Sequence, residues 1–215
     1  LINMLKRLYL KNPQDTLLGR QITTKALQLI NTIGFEAFTF KKLALNIKTT
    51  EASVYRYFEN KHHMLLYLVN QYWTHIYNVA QYHCQTEPKA KNRIQFILKL
   101  ILNPELPEHK IHTSFDINAL YQLVLWEGSK TYLTRNVNQF NKNLFFKPFK
   151  ELSLLLAREI KIFHPTYKFS KSLASTLLEM AHLQHFYSLY LPSLTDAKKN
   201  QPRDVMRFLN QLLNM

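Results

Sequence analysis

Apolar residues recur every three or four positions along most of this chain, a spacing typical of helices that bury one face. Runs that alternate apolar and polar residues, as half-buried strands do, are missing from the sequence. Only three of the 215 residues are glycine. We therefore predict an all-α protein of about nine helices.

The first predicted helix runs from Thr16 to Ile33. Its apolar stripe consists of Leu18, Ile22, Ala26, Leu29, Ile30 and Ile33. Gly34 suits a C-terminal cap, with Phe35 as the accompanying hydrophobic contact. Thr39 and Asn60 are placed to cap the second and fourth helices with their side chains.

The remaining helices are delimited by prolines, glycine and capping residues. The fourth ends at Glu87-Pro88, and the loop after the fifth covers Asn103 to His112. We expect the later helices at Lys89–Leu102, Ser114–Glu127, Ser129–Phe163, Ser170–Leu191 and Pro202–Leu213. Pro148 should kink the seventh helix or divide it in two, and Ser170 should cap the eighth.

The segment Thr39–Lys61 has the pattern of a helix, a tight turn and a second helix. With Val54 taken as the inward point and about 100° per residue, Phe58 also points inward while Arg56 points outward. The outer side carries hydroxyls, a phenol and a guanidinium, which are groups that hydrogen-bond phosphates and base edges. The pattern fits either a DNA-recognition element or any short helical hairpin with a polar face.

The order of residues in this segment resembles the TetR (tetracycline repressor-like) family of bacterial transcription factors. The matching positions hold Leu43, Ala44, Ile47, Thr50, Tyr55, Tyr57, Phe58 and Lys61. The family usually has Gly and Val in the turn, where this chain has Lys48 and Thr49. A turn position that favours positive φ is therefore occupied by a charged, non-glycine residue.

The resemblance implies a three-helix DNA-binding domain over residues 1–61, with its motif at about 39–58, and a helical regulatory and dimerisation domain over 62–215. It also implies a ligand-responsive repressor that binds a palindromic operator as a homodimer. The expected DNA-binding residues are Thr39, Lys48, Thr49, Thr50, Glu51, Ser53, Tyr55, Arg56, Tyr57 and Lys61. Among them Thr39, Tyr57 and Lys61 should grip phosphate.

In the family, helices four, six and seven enclose a ligand pocket, so aromatic residues on the corresponding helices are candidates to line one. These candidates are Trp73, Tyr77, Tyr121, Trp126 and Phe140. The expected ligand is a small apolar or aromatic compound, although aromatics at helical spacing also fit an ordinary core. The last two helices should form the dimer interface through Leu173, Leu177, Met180, Ala181, Gln184 and Phe208.

The charge of the chain points to an anionic partner. The net charge is +14 and the isoelectric point is near 9.8, which fits nucleic acid or a membrane surface. Residues 1–61 hold ten basic and four acidic residues, whereas the remaining chain holds eighteen and ten. The positive charge is therefore denser around the motif.

Other features argue against several classes of protein. Cys84 is the single cysteine, which excludes an intrachain disulfide and favours the reducing cytoplasm. The first ten residues lack the uninterrupted apolar core of a signal peptide, and no run reaches the roughly 18 apolar residues of a membrane span. We expect a soluble protein whose first segment is a short helix or a basic arm that reaches DNA.

No catalytic residues are predicted. Glu179 and His182 match half of a di-iron motif, but the sequence has no second copy, and His182 with His185 lacks an obvious third metal ligand. We expect no metal and no cofactor. A helical enzyme without DNA specificity and a basic protein that binds membrane surfaces or other partners remain the alternatives to a DNA-binding regulator.

Overall fold

The computed structural model describes residues 8–105 and 114–214. These residues contain ten α-helices and no strand, so the all-α prediction is confirmed. The helices are α1 (Leu17–Ala37), α2 (Phe40–Asn46), α3 (Glu51–Tyr55), α4 (Lys61–Thr86), α5 (Ala90–Leu102), α6 (Ile117–Glu127), α7 (Val137–Lys142), α8 (Lys147–Phe163), α9 (Ser170–Tyr190) and α10 (Pro202–Leu213). None of the described helices is long and apolar enough to cross a bilayer.

Two sequence predictions reach residues outside this description. Most of the segment that was expected to be a short helix or a basic arm falls in residues 1–7, and most of the predicted loop falls in residues 106–113. The described remainder of the first segment, residues 8–16, includes a short 3₁₀ turn at Pro13–Asp15.

The chain divides into two compact units. The first consists of Leu1–Tyr72 with Thr113–Lys147, and the second of Trp73–His112 with Pro148–Met215. The first unit extends beyond residue 61, because α6 packs against α1 and Phe140 of α7 packs against the beginning of α4.

In the first unit, α1 is the longest of the three N-terminal helices. The Thr16 hydroxyl oxygen caps it by accepting a hydrogen bond from the Gly19 N–H at 3.0 Å. Its inward face buries Ile22, Ala26, Leu27 and Ile30. Gly34, with φ 77° and ψ 157°, interrupts the regular helix where the sequence predicted its end, and one further turn follows before the chain leaves the helix at Phe38.

The expected seventh helix is the main error in the helix assignments. The chain forms a 3₁₀ turn at Gly128–Thr131, then α7, and only then α8. Leu144, between α7 and α8, has a φ of 62°, which no helix accommodates. Pro148 is the second residue of α8, where its missing N–H removes no hydrogen bond.

Two predicted helix starts also need correction. The sixth helix begins at Ile117 rather than Ser114, because the Asp116 carboxylate accepts hydrogen bonds from the N–H groups of Asn118 and Ala119. Ser170 does not cap the eighth predicted helix but is its first helical residue, since the cap position is Phe169. Pro202 does occupy the first position of the last helix, as predicted.

In the second unit, α9 packs against α5 and α10. A buried ion pair joins α5 to α8, with 2.6 Å between Arg93 Nε and Glu159 Oε2. The same guanidinium donates to the carbonyls of Glu87 and Pro88 just before α5. Arg93 therefore neutralises Glu159 and also closes the turn that ends α4.

Gly19 is required for close contact between α1 and the 3₁₀ turn that precedes it. A Cβ at Gly19 would collide with the carbonyl oxygen of Pro13 and would lie 2.7 Å from Pro13 Cα. Backbone atoms cannot move aside as a flexible side chain can.

We expect Gly19→Ala to lower the free energy of unfolding by roughly 1–3 kcal/mol, as overpacking does elsewhere. Gly128→Ala is the matched control, because the atom nearest its added Cβ is a side-chain methyl of Val124 at 3.2 Å. Urea unfolding of both variants tests this. If Gly19→Ala and Gly128→Ala have the same free energy of unfolding, the turn does not require glycine at position 19.

Candidate nucleic-acid interface

The predicted helix–turn–helix is formed by α2, a short turn and α3. Thr39 caps α2, with its hydroxyl oxygen 3.2 Å from the Lys42 N–H nitrogen. The turn closes when the Thr49 N–H donates to the Ala44 carbonyl at 2.9 Å. Lys48 adopts a φ of 53°, so the position that holds glycine in the family pattern does take the left-handed conformation here. Thr50 then caps α3 through the Ser53 N–H.

The inner face of the motif is anchored in the core of the first unit. Val54 and Phe58 are fully buried, as the periodicity predicted, together with Leu43 of α2. Phe40 packs edge-on against Tyr55, with ring centroids 5.0 Å apart. Because α3 has only five residues, these contacts rather than its own hydrogen bonds hold it in place.

The predicted DNA-binding residues divide into three groups by exposure. Thr39, Lys48, Thr50, Tyr55 and Arg56 are exposed; Thr49, Glu51, Ser53 and Lys61 are partly exposed; and Tyr57 is buried. The hydroxyls of Thr50 and Ser53 lie 2.9 Å apart, so one of them donates to the other. The outer side of the motif therefore offers a guanidinium, an ammonium and several hydroxyls.

Tyr57 is buried and contacts other residues of the first unit instead of facing solvent. Only 4% of its surface is exposed, and its hydroxyl lies 2.7 Å from that of Thr16 at the start of α1. The phenol thus joins the residue after α3 to the cap of α1. We therefore revise its expected role from gripping phosphate to fixing the orientation of α3.

Lys61 also has a role that the sequence did not reveal. Its Nζ lies 3.0, 3.1 and 3.2 Å from the carbonyl oxygens of Phe35, Glu36 and Phe38, and 4.7 Å from the centre of the Phe35 ring. An ammonium group has three N–H donors, and these carbonyls use all of them. We therefore revise Lys61 from a phosphate contact to a cap on the C-terminal end of α1.

A second lysine completes this cap. Lys42 Nζ lies 2.8 Å from the Ala37 carbonyl oxygen, so two cations cover all four carbonyls from Phe35 to Phe38. Carbonyls at the end of a helix have no partner within the helix and carry the negative end of its dipole. The positive charges therefore stabilise the broken end of α1.

The same junction is held from α6. The Phe35 N–H, directly after the break at Gly34, donates to Glu127 Oε1 at 3.0 Å. The other carboxylate oxygen of Glu127 lies 2.7 Å from Lys130 Nζ, which also reaches Glu36 Oε1 at 3.2 Å. A buried carboxylate on α6 thus supplies a hydrogen-bond acceptor at the break in α1.

The first turn of α4 packs on aromatic rings. Asn60 caps this helix as predicted, because its side-chain oxygen accepts from the His63 N–H at 3.0 Å. The His62 ring stacks on Phe140, with centroids 5.5 Å apart. Burial lowers the pKa of His62, and the charges of His63 and Lys61 lower it further, so this imidazole is held neutral.

The five candidate pocket residues are distributed over both units. Trp73 and Tyr77 belong to the second unit, and Tyr121, Trp126 and Phe140 to the first. Tyr121 and Phe140 are buried, whereas Trp126 is 49% exposed. Tyr77 lines a half-open cleft of about 390 Å³ between α4 and α8, together with Gln81, Cys84, Glu151, Leu154 and Arg158. Burial raises the pKa of the Cys84 thiol to about 11, so the thiol is unreactive.

Two of the predicted interface residues need correction. Leu177 and Ala181 are completely buried inside the second unit, so they belong to the core of the protomer. Leu173, Met180 and Gln184 are partly exposed, and Phe208 is 38% exposed. The described residues contain no group of three or more side chains that could hold a metal ion.

We expect Lys61→Met to lower the free energy of unfolding by roughly 1.5–3 kcal/mol, because three carbonyls lose a charged donor. Lys41→Met is the control, since Lys41 is exposed on α2. Urea unfolding should give a lower midpoint for Lys61→Met and an unchanged midpoint for Lys41→Met. Equal midpoints would contradict the capping role.

Comparison with known proteins agrees with this geometry. The model of the tetR family of bacterial regulatory proteins matches residues 22–68, which include α2, the turn and α3. No curated protein matches the chain by sequence.

Similar solved structures extend over most of the chain. AibR in complex with isovaleryl coenzyme A and operator DNA is 16% identical, with a TM-score of 0.62 over 90% of this chain and 98% of AibR. A TetR-family regulator from Syntrophomonas wolfei is 17% identical, with a TM-score of 0.64 over 91% and 94%. The fatty acid degradation regulator FadR from Bacillus halodurans is 18% identical, with a TM-score of 0.59 over 90% and 96%. The tetR family model therefore matches the segment that contains the helix–turn–helix, and the similar solved structures share the fold of most of the chain.

Proposed function

We propose that this protein is a sequence-specific DNA-binding transcriptional regulator whose helix α3 enters the major groove. The observation that carries the proposal is the polar outer face of α3, whose inner side is anchored by the buried side chains of Val54 and Phe58. A rigid anchor holds the reading side chains at a fixed depth, so their contacts with base edges lose little entropy on binding.

The exposed residues divide naturally into two roles. Ser53 and Arg56 are the candidates for reading base edges, because Ser53 lies on α3 and Arg56 is the cap residue at its C-terminal end. Thr39 and Lys48 lie before and after α2, where a hydroxyl and an ammonium suit the flanking phosphates. Thr49, Thr50, Glu51 and Tyr55 complete the proposed contact surface.

We further propose that the regulator acts as a homodimeric repressor on a palindromic operator. One short recognition helix reads few base pairs, and two-fold symmetry doubles the contacts over half-sites about one turn apart. Leu173, Met180, Gln184 and Phe208, which keep exposed surface on α9 and α10, are the proposed partner contacts. A protein that binds operator DNA works in the cytoplasm of a bacterium, where that DNA lies.

A small molecule is proposed to relieve DNA binding. Among the similar structures, AibR holds isovaleryl coenzyme A, and a regulator from Saccharomonospora viridis is in complex with choline. In the proposed division of the chain, residues 1–61 bind DNA and residues 62–215 carry the ligand response and dimerisation. Trp73 and Tyr77 of the second unit are the proposed ligand contacts, and catalysis has no part in this function.

Selection from a random library of duplex DNA at physiological salt tests the proposed function. We expect an enriched palindrome with two half-sites about 10 base pairs apart. A helical enzyme would enrich no sequence, and a membrane-surface protein would bind anionic vesicles without a palindromic target. Either result would overturn the proposal.

Arg56 provides a sharper test of base reading. We expect Arg56→Ala to weaken binding and to flatten the ranking of selected sites, because a bidentate contact with guanine discriminates by roughly 1–3 kcal/mol. Arg56→Lys is the matched variant, since it keeps the charge but loses the planar pair of donors. It should lose sequence preference while keeping the wild-type salt dependence. An unchanged ranking of sites in both variants would reject base reading by Arg56.

Lys48 combines backbone strain with a proposed phosphate contact. A left-handed conformation costs a non-glycine residue roughly 1–2 kcal/mol, so Lys48→Gly should stabilise the fold or leave it unchanged. It should also lower the magnitude of the salt slope of DNA binding by about 0.9 per bound copy. Lys48→Asn is the matched control, because asparagine tolerates the conformation without carrying charge. If both variants keep the wild-type salt slope, Lys48 does not contact phosphate.

A further inference from the structure

The residues that precede α1 are built into the first unit. Leu8 is 1% exposed and packs in a cluster with Leu66, Phe140 and Phe145. Tyr9 packs edge-on against Tyr67, with ring centroids 6.0 Å apart. Residues 8–16, called here the N-terminal segment, are therefore anchored at their start by the core.

The N-terminal segment is attached directly to the end of α3. The Leu10 N–H donates to the carbonyl of Tyr57 at 2.8 Å. At the other end of the segment, the hydroxyls of Thr16 and Tyr57 lie 2.7 Å apart. Tyr57, two residues after the end of α3, thus holds the segment at two points, through its backbone carbonyl and through its hydroxyl.

The middle of the segment is equally constrained. Asn12 caps the 3₁₀ turn by accepting from the Gln14 N–H at 3.1 Å, and Pro13 lies against Gly19, where no side chain would fit. Arg20 donates to the Gln14 carbonyl at 2.6 Å.

The Gln14 side chain adds a contact with α4, because its amide donates to the Tyr67 hydroxyl at 3.0 Å. Burial raises the pKa of Tyr67 to about 12, so the phenol keeps its proton and accepts this bond as a neutral group.

Lys11 is the exposed cation of this constrained segment. It follows Leu10, whose N–H binds the Tyr57 carbonyl, and Arg56 is the residue before Tyr57. This backbone hydrogen bond therefore holds Lys11 close to Tyr57, the residue that follows Arg56 in the chain. The ammonium lies 5.6 Å from the centre of the Tyr57 ring. The one acidic group of the segment, Asp15, accepts from the Asn12 amide at 2.7 Å.

We propose that the N-terminal segment is a fixed part of the DNA-binding surface and that Lys11 binds a backbone phosphate next to the contacts made by α3. This inference rests on the proposed function and adds a binding residue outside the helix–turn–helix. Lysine acts as a point charge on a flexible stem, which suits phosphate rather than a base edge. Because the backbone of the segment is already ordered, only the side chain loses freedom on binding.

The salt dependence of DNA binding tests this role. The probes are the duplex that the wild-type protein selects from the random library and a mixed-sequence duplex of equal length. We expect Lys11→Ala to weaken binding to both probes and to lower the magnitude of the slope of log K against log salt by about 0.9 for each bound copy. A homodimer should therefore lose about 1.8.

Two variants control the measurement. Lys99→Ala removes the same charge from an exposed position of α5 in the second unit, and it should keep the wild-type slope. Lys11→Arg keeps the charge and should bind as the wild type does. Urea unfolding of Lys11→Ala should match the wild type, since Lys11 is exposed, so a loss of binding cannot come from loss of fold.

The outcomes separate this inference from the proposed function. If the wild-type protein binds its palindrome and Lys11→Ala keeps the same slope, the role of Lys11 is overturned and the regulator stands. The same follows if Lys99→Ala lowers the slope as much as Lys11→Ala does, because the effect is then one of net charge. If the wild-type protein selects no duplex, the proposed function itself fails.

Discussion

The Lys61 ammonium, bonded to three carbonyls at the end of α1, is the contact on which the helix–turn–helix depends. It joins the first residue of α4 to the break at Gly34, with contacts across 23 to 26 residues of sequence. The segment between these two points contains α2, the turn and α3. Helices as short as α2 and α3 are not stable alone, so the closed loop that Lys61 makes is what keeps them together.

The break at Gly34 makes this arrangement possible and also creates its cost. Beyond Gly34, whose φ is 77°, the last carbonyls of α1 bind the lysines, and the Phe35 N–H takes an acceptor from another helix. Glu127 supplies that acceptor from α6, and Lys130 balances its charge. The break in α1 is thus held from two sides, by Lys61 of α4 and Glu127 of α6, which ties the orientation of α2 and α3 to both helices within the first unit.

The sequence predicted what depends on local pattern. The all-α class, the inward positions of Val54 and Phe58, and the caps at Thr39 and Asn60 follow from periodicity and local hydrogen bonding, and the structure has them all. The sequence predicted that the seventh helix would kink or divide at Pro148, but the division lies before that proline, because nothing in the sequence marks Leu144 as a residue with positive φ. The partner of Glu127 could not be predicted either, because it lies 92 residues away along the chain. The burial of Leu177 and Ala181 depends on packing partners that an apolar stripe does not identify.

The residues that carry the family resemblance are mainly those that build the framework. Tyr57 and Phe58 fix the end of α3, and Lys61 closes the module on α1, so their functions are the same whichever operator is bound. Under the proposed function, discrimination between operators comes from side chains between these framework positions that reach the surface, of which Ser53 and Arg56 are the central pair. Lys48 combines both kinds of role. Its backbone adopts the positive φ of the turn, while its side chain is exposed to solvent. A resemblance carried by the framework therefore identifies how the helix is held, whereas, under the proposed function, the exposed residues on and beside α3 determine which DNA sequence is bound.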